Sequence, residues 1–380
     1  MNLARLLETQ PVSPACSLIV TIPARNEKDS IEKSLTSLAL QANCSSFHVV
    51  VFANNCDDST AEKARRFATR YPQLDLSVAE GDLQPPLDHV GTARKMLMDY
   101  AADHFHAVGI PSGIIATTDA DTCVASDWIG QTLLEMQHAD AVAGLVEIED
   151  GERRLLPAPV RDLYAQENAF RRAWAELESL LDPRPEDPFP RHCSFVAASF
   201  AVTAAIYRRA GGLPDVPALE DRMFLRALRR VDARVRFSPR VRAATSGRHD
   251  PRVEGGFGTL VKHLHLQGTN GETFMVENPG QIVDELKGRA AFRKLWAGSR
   301  ARVDVATASE IFGIPLREIS ELIDETKPFG QNYEAVQTAA KVRRDYPLTP
   351  VGEAIEALHA AAAELKAAAP TRMTTASGAG

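Results

Sequence analysis

Residues 113–122 read Gly-Ile-Ile-Ala-Thr-Thr-Asp-Ala-Asp-Thr, an apolar, β-branched run that stops at two carboxylates one residue apart. A short run of this kind suits a buried strand, and in open α/β sheets ligands bind beyond the carboxyl ends of parallel strands. Alternate residues of an extended chain share a face, so Asp119 and Asp121 are expected to point the same way. Two hard oxygen donors placed like that suit Mg2+ or Mn2+, which take few protein carboxylates and complete their shell with water and phosphate. The same residues also suit an ordinary turn, because Asp and Thr are common where a strand gives way to a helix.

Strand-like and helix-like stretches alternate around this one. Residues 17–23 (SLIVTIP) and 47–52 (FHVVVF) are apolar runs of strand length, and 74–79 reads as a third. Between them Ile31, Leu35 and Leu38 recur at helical spacing. Ser59 and Glu62 have the spacing of a capping box and predict a helix to about Tyr71. From Gly91 onward Ala93, Met96, Leu97, Tyr100 and Ala101 predict an amphipathic helix. A helix near 126–138 and a strand within 140–149 follow. Such alternation argues an α/β fold with a mostly parallel sheet and helices on both faces. Residues 161–181 read as a long helix broken by the proline-rich 182–190, and another helix begins at 219. Past Gly255 the pattern is helical without strands, and from about Ala360 it looks frayed or disordered. The expected division is an N-terminal segment (1–16), a sheet domain (17–254), a helical extension (255–360) and a tail (361–380).

Composition removes several classes of function. With 380 residues, 44% hydrophobic and 24% charged, the chain has enough apolar side chains for a packed core. A formal charge of -7 argues against general nucleic-acid binding, which needs a basic surface. The five cysteines are scattered and never form Cys-x-x-Cys, a pattern of reduced thiols rather than of a disulfide frame or zinc site. No apolar run approaches the roughly 20 residues of a membrane span, and no signal-peptide core opens the chain. A cytoplasmic protein is expected. After the first strand comes Pro-Ala-Arg-Asn-Glu, with neither a Gly-x-Gly-x-x-Gly fingerprint nor a Walker loop in the chain.

Five short motifs then fall into one order: Pro23-Ala24-Arg25-Asn26-Glu27, the Asn-Asn-Cys-Asp-Asp-Ser-Thr run at 54–60, Gly91-x-Ala93-Arg94, Asp119-Ala120-Asp121 and Leu219-Glu220-Asp221. Together they resemble family 2 glycosyltransferases over about residues 17–250. The resemblance implies a GT-A type nucleotide-binding sheet flanked by helices, here with a helical C-terminal extension. It also implies a UDP-, GDP- or dTDP-linked sugar donor, Mn2+ or Mg2+, and inversion at the anomeric carbon. In its terms Pro23, Ala24, Arg25, Glu27 and Asn54 cradle the nucleoside. Gly91 opens the helix that brings Arg94 to the diphosphate or ribose. Asp119, with Ala120, meets the ribose or metal-bound water, and Asp121 coordinates the metal. Asp221 is the base for the acceptor hydroxyl, with Glu220 the alternative acid. Many relatives carry Asp where Asn54 stands, which leaves the nucleobase open. No Gln-x-x-Arg-Trp signature of processive synthases is present, so a non-processive enzyme is expected.

Glycosyl transfer needs a base, stabilisation of an oxocarbenium-like centre and neutralisation of the departing diphosphate. A carboxylate is a weak base unless its pKa rises, and Glu220 next to Asp221 with limited solvation would raise it. Asp221 equally suits a helix start, where acids are favoured. Arg94 equally suits a solvated helix face, and Arg25 with Glu27 an ordinary loop ion pair. Residues 240–252 carry Arg240, Arg242, Arg248, His249 and Arg252. They are expected to close over the diphosphate, with Arg248 on a phosphate oxygen and His249 completing the metal shell. Gly247 and Gly255-Gly256 would let the segment hinge, and a solvated basic loop is the plain alternative. Two other classes fit less well. A sugar nucleotidyltransferase usually opens with a glycine-rich loop after its first strand, and a non-catalytic nucleotide-sugar-binding protein would have no need to keep these acids. The acceptor, a saccharide, lipid or small molecule, is expected between 150–190 and the C-terminal helices.

Overall fold

The computed structural model describes residues 3–7, 11–42, 46–247, 257–299, 301–340 and 345–368. The first half runs α1 (Leu3–Leu6), β1 (Leu18–Ala24), α2 (Ile31–Ala39), β2 (His48–Asn54), α3 (Thr60–Arg70), β3 (Asp75–Gly81), α4 (Val90–Ala107), β4 (Ile114–Thr117), β5 (Cys123–Val124), α5 (Trp128–Glu135) and β6 (Ala141–Ile148). The second half continues with α6 (Asp150–Leu155), α7 (Ala158–Leu181), β7 (Phe200–Thr203), α8 (Ala204–Arg209), α9 (Glu220–Arg230), β8 (Val235–Thr245), α10 (Phe257–Asn270) and β9 (Met275–Val276). It ends with α11 (Pro279–Trp296), α12 (Arg302–Phe312), α13 (Leu316–Leu322), α14 (Phe329–Ala339), β10 (Thr349–Pro350) and α15 (Val351–Ala368).

Eight of these strands form one sheet in the order β3-β2-β1-β4-β7-β6-β8-β5. β1 runs parallel to β2 and β4, β2 to β3, and β6 to β8, while β7 enters antiparallel between β4 and β6. Every residue of β1 and β2 is buried, as central strands covered on both faces require. Alternation along β1 divides the interior. Ile19 faces a core with Leu97, Phe105, Tyr207 and Phe224 of α4, α8 and α9, and Val20 and Ile22 face one with Leu35, Phe67 and Trp128 of α2, α3 and α5. The parallel strands β1, β2 and β4 therefore end on one edge, at Ala24, Asn54 and Thr117.

The later helices share a core with α7. Phe170 and Leu177 of α7 pack with Leu286 of α11 and Leu358 of α15, and Phe292, Phe312, Phe329 and Val336 close a second cluster among α11, α12 and α14. A polar clasp ties this body to α9. The Asp232 carboxylate accepts from the amides of Phe329 (2.6 Å) and Gly330 (2.8 Å), filling the open start of α14. A side chain at Gly330 would lie 1.8 Å from the Arg229 carbonyl, so only glycine allows this approach. Glu334 of α14 completes the clasp by pairing with Arg226 and Arg230 of α9.

Several local expectations are corrected. The Ser59–Glu62 box does not form: Ser59 makes no side-chain cap, Glu62 pairs with Arg66, and Asp58 Oδ1 instead accepts from Thr60 N at 2.9 Å. Residues 361–368 are not frayed, because α15 runs to Ala368 and lays Leu358 and Ala362 against α7. The C-terminal part also has a small antiparallel ladder, β9 with β10. Residues 240–245, expected in a loop, belong to β8, where Arg242 pairs with Leu145 after a bulge. Arg248, His249, Arg252, Gly255 and Gly256 lie outside the described residues.

Candidate active site

Asp119 lies two residues past the end of β4, and Thr122 N donates to its carbonyl at 3.1 Å. The Asp-x-Asp stretch is thus a turn, which removes the shared-face argument made for an extended chain. What orients Asp119 is Arg94. This α4 side chain is 2% exposed and donates from Nη2 to Asp119 Oδ1 at 2.5 Å. Its Nε donates to Glu220 Oε1 at 3.3 Å, and its Nη1 to Thr117 Oγ1 at 2.8 Å. Burial opposes the charge, yet Asp119 and then Glu220 offset it and hold the guanidinium above the usual arginine range. Arg94 is therefore no solvated helix residue. It is a cation set between the turn after β4 and the start of α9.

Gly91 explains how α4 reaches that position. A Cβ there would fall 2.0 Å from the Val216 carbonyl, so the first turn of α4 packs directly on the segment leading to α9. Thr92 Oγ1 adds a hydrogen bond to Asp215 Oδ1 at 2.7 Å. Leu219 then takes a left-handed backbone (φ 59°), costly for a non-glycine residue, immediately before Glu220 and Asp221.

The two acids diverge. Both line the cleft, but Glu220 is 5% exposed and committed to Arg94, whereas Asp221 is half-buried and makes no ion pair with it. Asp221 Oδ2 accepts from Ala197 N at 3.1 Å and Oδ1 from Arg222 N at 2.6 Å. Desolvation, and then the Glu220 charge, raise its pKa above the ordinary carboxylate value despite those amides and Arg94.

Loops after β1 and β2 supply the next wall. Pro23, Ala24, Arg25, Glu27 and Asn54 line the same cleft as Asp119, Ala120 and Asp121. Arg25 Nη1 donates to the Asp88 carbonyl at 2.9 Å, and Glu27 N to Thr60 Oγ1 at 2.8 Å. The Asn26 amide side chain exchanges hydrogen bonds with Asp57, its Nδ2 donating to Oδ1 at 3.0 Å and its Oδ1 accepting from Asp57 N at 3.0 Å. This ties the two loops together. Asn54 is buried at the last paired position of β2. Among the described residues no three His, Cys, Asp or Glu side chains group closely enough to hold a metal by themselves.

The cleft has a volume of about 2190 Å³ and extends from these strand ends to α7, α9, α11 and α14. Small-molecule pockets are commonly about 300–1,000 Å³, so there is room for two ligands. Its second half holds residues that the sequence reading did not single out: Arg184, Arg191, Arg229, Arg289 and Arg293. A signal for them existed. Glu178 on α7 and Asp182 at its C-terminal cap sit four apart, Arg289 and Arg293 four apart on α11, and they pair across the helix interface at 2.6–2.9 Å.

Residues 19–184 match the family model described as Glycosyl transferase family 2. No curated protein is a significant sequence match. Among solved structures, the mannosyltransferase PcManGT from Pyrobaculum calidifontis, in complex with GDP-Man and Mn2+, aligns at 17% identity. That alignment covers 94% of this chain and 89% of that one, with a TM-score of 0.44. S. aureus TarS 1–349 in complex with UDP-GlcNAc aligns at 13% identity, over 86% of this chain and 90% of that one, with a TM-score of 0.46.

Proposed function

We propose, from the match of residues 19–184 to the glycosyl transferase family 2 model, that the chain transfers a sugar from a nucleotide-diphosphate-sugar to an acceptor hydroxyl, with inversion and without processivity. The observation that carries this reading is Arg94, whose one buried guanidinium holds Asp119 on one side and Glu220 on the other. With Glu220 neutralised in this way, Asp221 is the acid of the pair left to act as base. The acceptor oxygen attacks the anomeric carbon, the bond from that carbon to the diphosphate oxygen breaks, and the hydroxyl proton passes to Asp221. A raised pKa makes Asp221 a better base than an ordinary carboxylate. The loops at 23–27 and Asn54 hold the nucleoside, and Ala120 lines the same cleft between Asp119 and Asp121.

Mn2+ or Mg2+ would be held by Asp121, with Asp119 beside it, and would offset the charge of the leaving diphosphate. A site with few protein ligands fits an ion that arrives with its nucleotide, since such ions keep water and phosphate oxygens in their shell.

The test is a thermal-shift panel of UDP-, GDP- and dTDP-sugars with and without Mn2+, beside a donor-hydrolysis assay. A ligand of the folded state raises the melting temperature in proportion to affinity and concentration. One donor class should do so, with slow release of sugar to water, and Asp121→Ala should remove the Mn2+-dependent part. Pyrophosphate released from a nucleoside triphosphate would mark a nucleotidyltransferase, and binding without turnover a non-catalytic protein.

A further inference from the structure

We propose that Arg184 and Arg229, set among Arg191, Arg289 and Arg293 in the second half of the cleft, bind an anionic group, phosphate or carboxylate, on the acceptor. This rests on the transferase reading above and names the substrate class of its second site.

The five arginines of the cluster have only three carboxylates within ion-pair distance among the described residues. Glu178 is shared by Arg191 (3.1 Å) and Arg289 (2.6 Å), and Asp182 by Arg289 (2.6 Å) and Arg293 (2.9 Å). Asp187 is divided between Arg191 and Arg236, each at 3.0 Å. Arg184 reaches Asp182 only at 3.6 Å, and its buried Nε has no hydrogen-bond partner. Among the described residues no carboxylate lies within ion-pair distance of Arg229, which opens into the cleft. Both residues show the consequence. Burial and then Arg289 lower Arg184, and the same two causes push Arg229 down to about 10. Asp182 and Glu178 oppose the shift at Arg184 and Glu178 opposes it at Arg229, without reversing either; Glu186 and Glu285 also line the cleft. Guanidinium groups left over inside a deep cleft match the oxygens of a phosphate or carboxylate bidentately.

Position connects the cluster to the chemistry. Arg229 lies eight residues beyond Asp221 on α9, about 12 Å of helix rise. Leu225 lines the cleft between them. An acceptor whose hydroxyl meets Asp221 and whose charged end meets Arg229 is therefore about the length of a sugar phosphate or sugar acid. The donor diphosphate has its own place near Asp119 and Asp121 in the proposed arrangement, so the two negative groups need not compete.

The experiment measures binding of inorganic phosphate by calorimetry to the full chain and to the Arg184→Gln/Arg229→Gln double variant. Donor hydrolysis and Mn2+-dependent donor binding are followed in parallel. Transfer is then assayed to glucose, glucose 6-phosphate and glucuronate, which share a ring and differ at one carbon. The double variant should bind phosphate at least tenfold more weakly while keeping wild-type donor binding and hydrolysis. It should melt no lower than wild type without phosphate, because two like charges have been removed. Glucose 6-phosphate or glucuronate should accept at least tenfold better than glucose, and the better of the two identifies the anion. Unchanged phosphate affinity in the variant, equal use of glucose, or loss of donor binding would overturn the assignment. A chain that neither binds nor hydrolyses any donor would instead sink the transferase reading, whatever the phosphate result.

Discussion

Arg94 Nη2 donates to Asp119 Oδ1 at 2.5 Å, and this single contact fixes the turn after β4 relative to α9, because the same guanidinium also holds Glu220. An arginine sealed at 2% exposure is costly unless both its charge and its donors are matched. Here two carboxylates and the Thr117 hydroxyl do the matching. The cation is thus structural and electrostatic at once. It sets the distance between Asp119 and Glu220, and it lowers the repulsion that Asp119, Glu220 and Asp221 would otherwise feel.

Replacing Arg94 with Met should destabilise the protein by about 3–5 kcal/mol, the usual cost of leaving a buried charge without its partner. Arg94→Lys keeps the charge but cannot span both acids, so its loss should be smaller. Urea denaturation of both variants gives the values, and donor hydrolysis should fall in each. An Arg94→Met protein as stable as wild type would show that the acids are solvated independently of it.

Asp221→Asn should leave donor affinity intact and lower turnover by about 10²–10⁴-fold. The pH profile gives a second reading. The Asp221 pKa is raised in the folded protein, so turnover should fall with acid at a pH above the usual carboxylate range. Stability has the opposite sign. The folded state holds this proton more tightly than the unfolded chain, so the Asp221 contribution to stability falls as pH rises through that window. The variant therefore loses an unfavourable charge, but its amide meets the two backbone N–H groups that Asp221 accepts from. The melting temperature should stay near wild type. Wild-type turnover in this variant would move the base elsewhere.

Acid should loosen α11 from α7. Glu178 is held down to about 2 by Arg289 and Arg191 despite its burial, and Asp182 is held well below the ordinary carboxylate range by Arg293 and Arg289. A depressed carboxylate stabilises the fold above its unfolded value near 4.5 and loses that contribution as pH falls toward its folded value. Fluorescence of Trp174 and Trp296 should report a transition between about pH 4.5 and 2. In Arg289→Gln, which strips both acids of a partner, that transition should move to higher pH. An unmoved transition would mean the network contributes nothing to acid stability.

How much of this was readable before the structure follows from the range of the forces involved. The buried strands β1 and β2 and the stripe of α2 were legible because apolar periodicity is local. The strand-end motifs were legible as a set, since a parallel sheet gathers its carboxyl ends on one edge. Arg94 was noticed, but its task was not. Its partners Asp119 and Glu220 are 25 and 126 residues away, and no spacing rule reaches that far. The antiparallel entry of β7 was invisible for the same reason. Residues 240–245 were misjudged because their arginines suggested a loop, whereas β8 alternates Val241, Ala243 and Thr245 inward with Arg240 and Arg242 outward. The alanine-rich end was misjudged because small side chains give a weak periodic signal even when, as at Ala354 and Ala362, close helix packing is what they allow.

That last helix offers a direct test. α15 lays Val351, Ala354, Leu358 and Ala362 against α7 and α11, and Lys366 pairs with Glu176 at its far end. Leu358 has no exposed area, so Leu358→Ala should cost about 2–5 kcal/mol through lost burial and the cavity left behind. Ending the chain after residue 360 removes Ala362, Leu365 and the Lys366 pair while sparing Leu358, and should cost less but still measurably lower the melting temperature. Donor hydrolysis at permissive temperature should persist in both variants, because the strand ends and Arg94 belong to the other core. The arginine cluster should suffer first, since Arg289 stands on α11 and α11 rests on this helix. Thermal melts with phosphate titration measure both effects. A chain ending at 360 that melts with the full-length protein would show that α15 beyond Leu358 adds no stability.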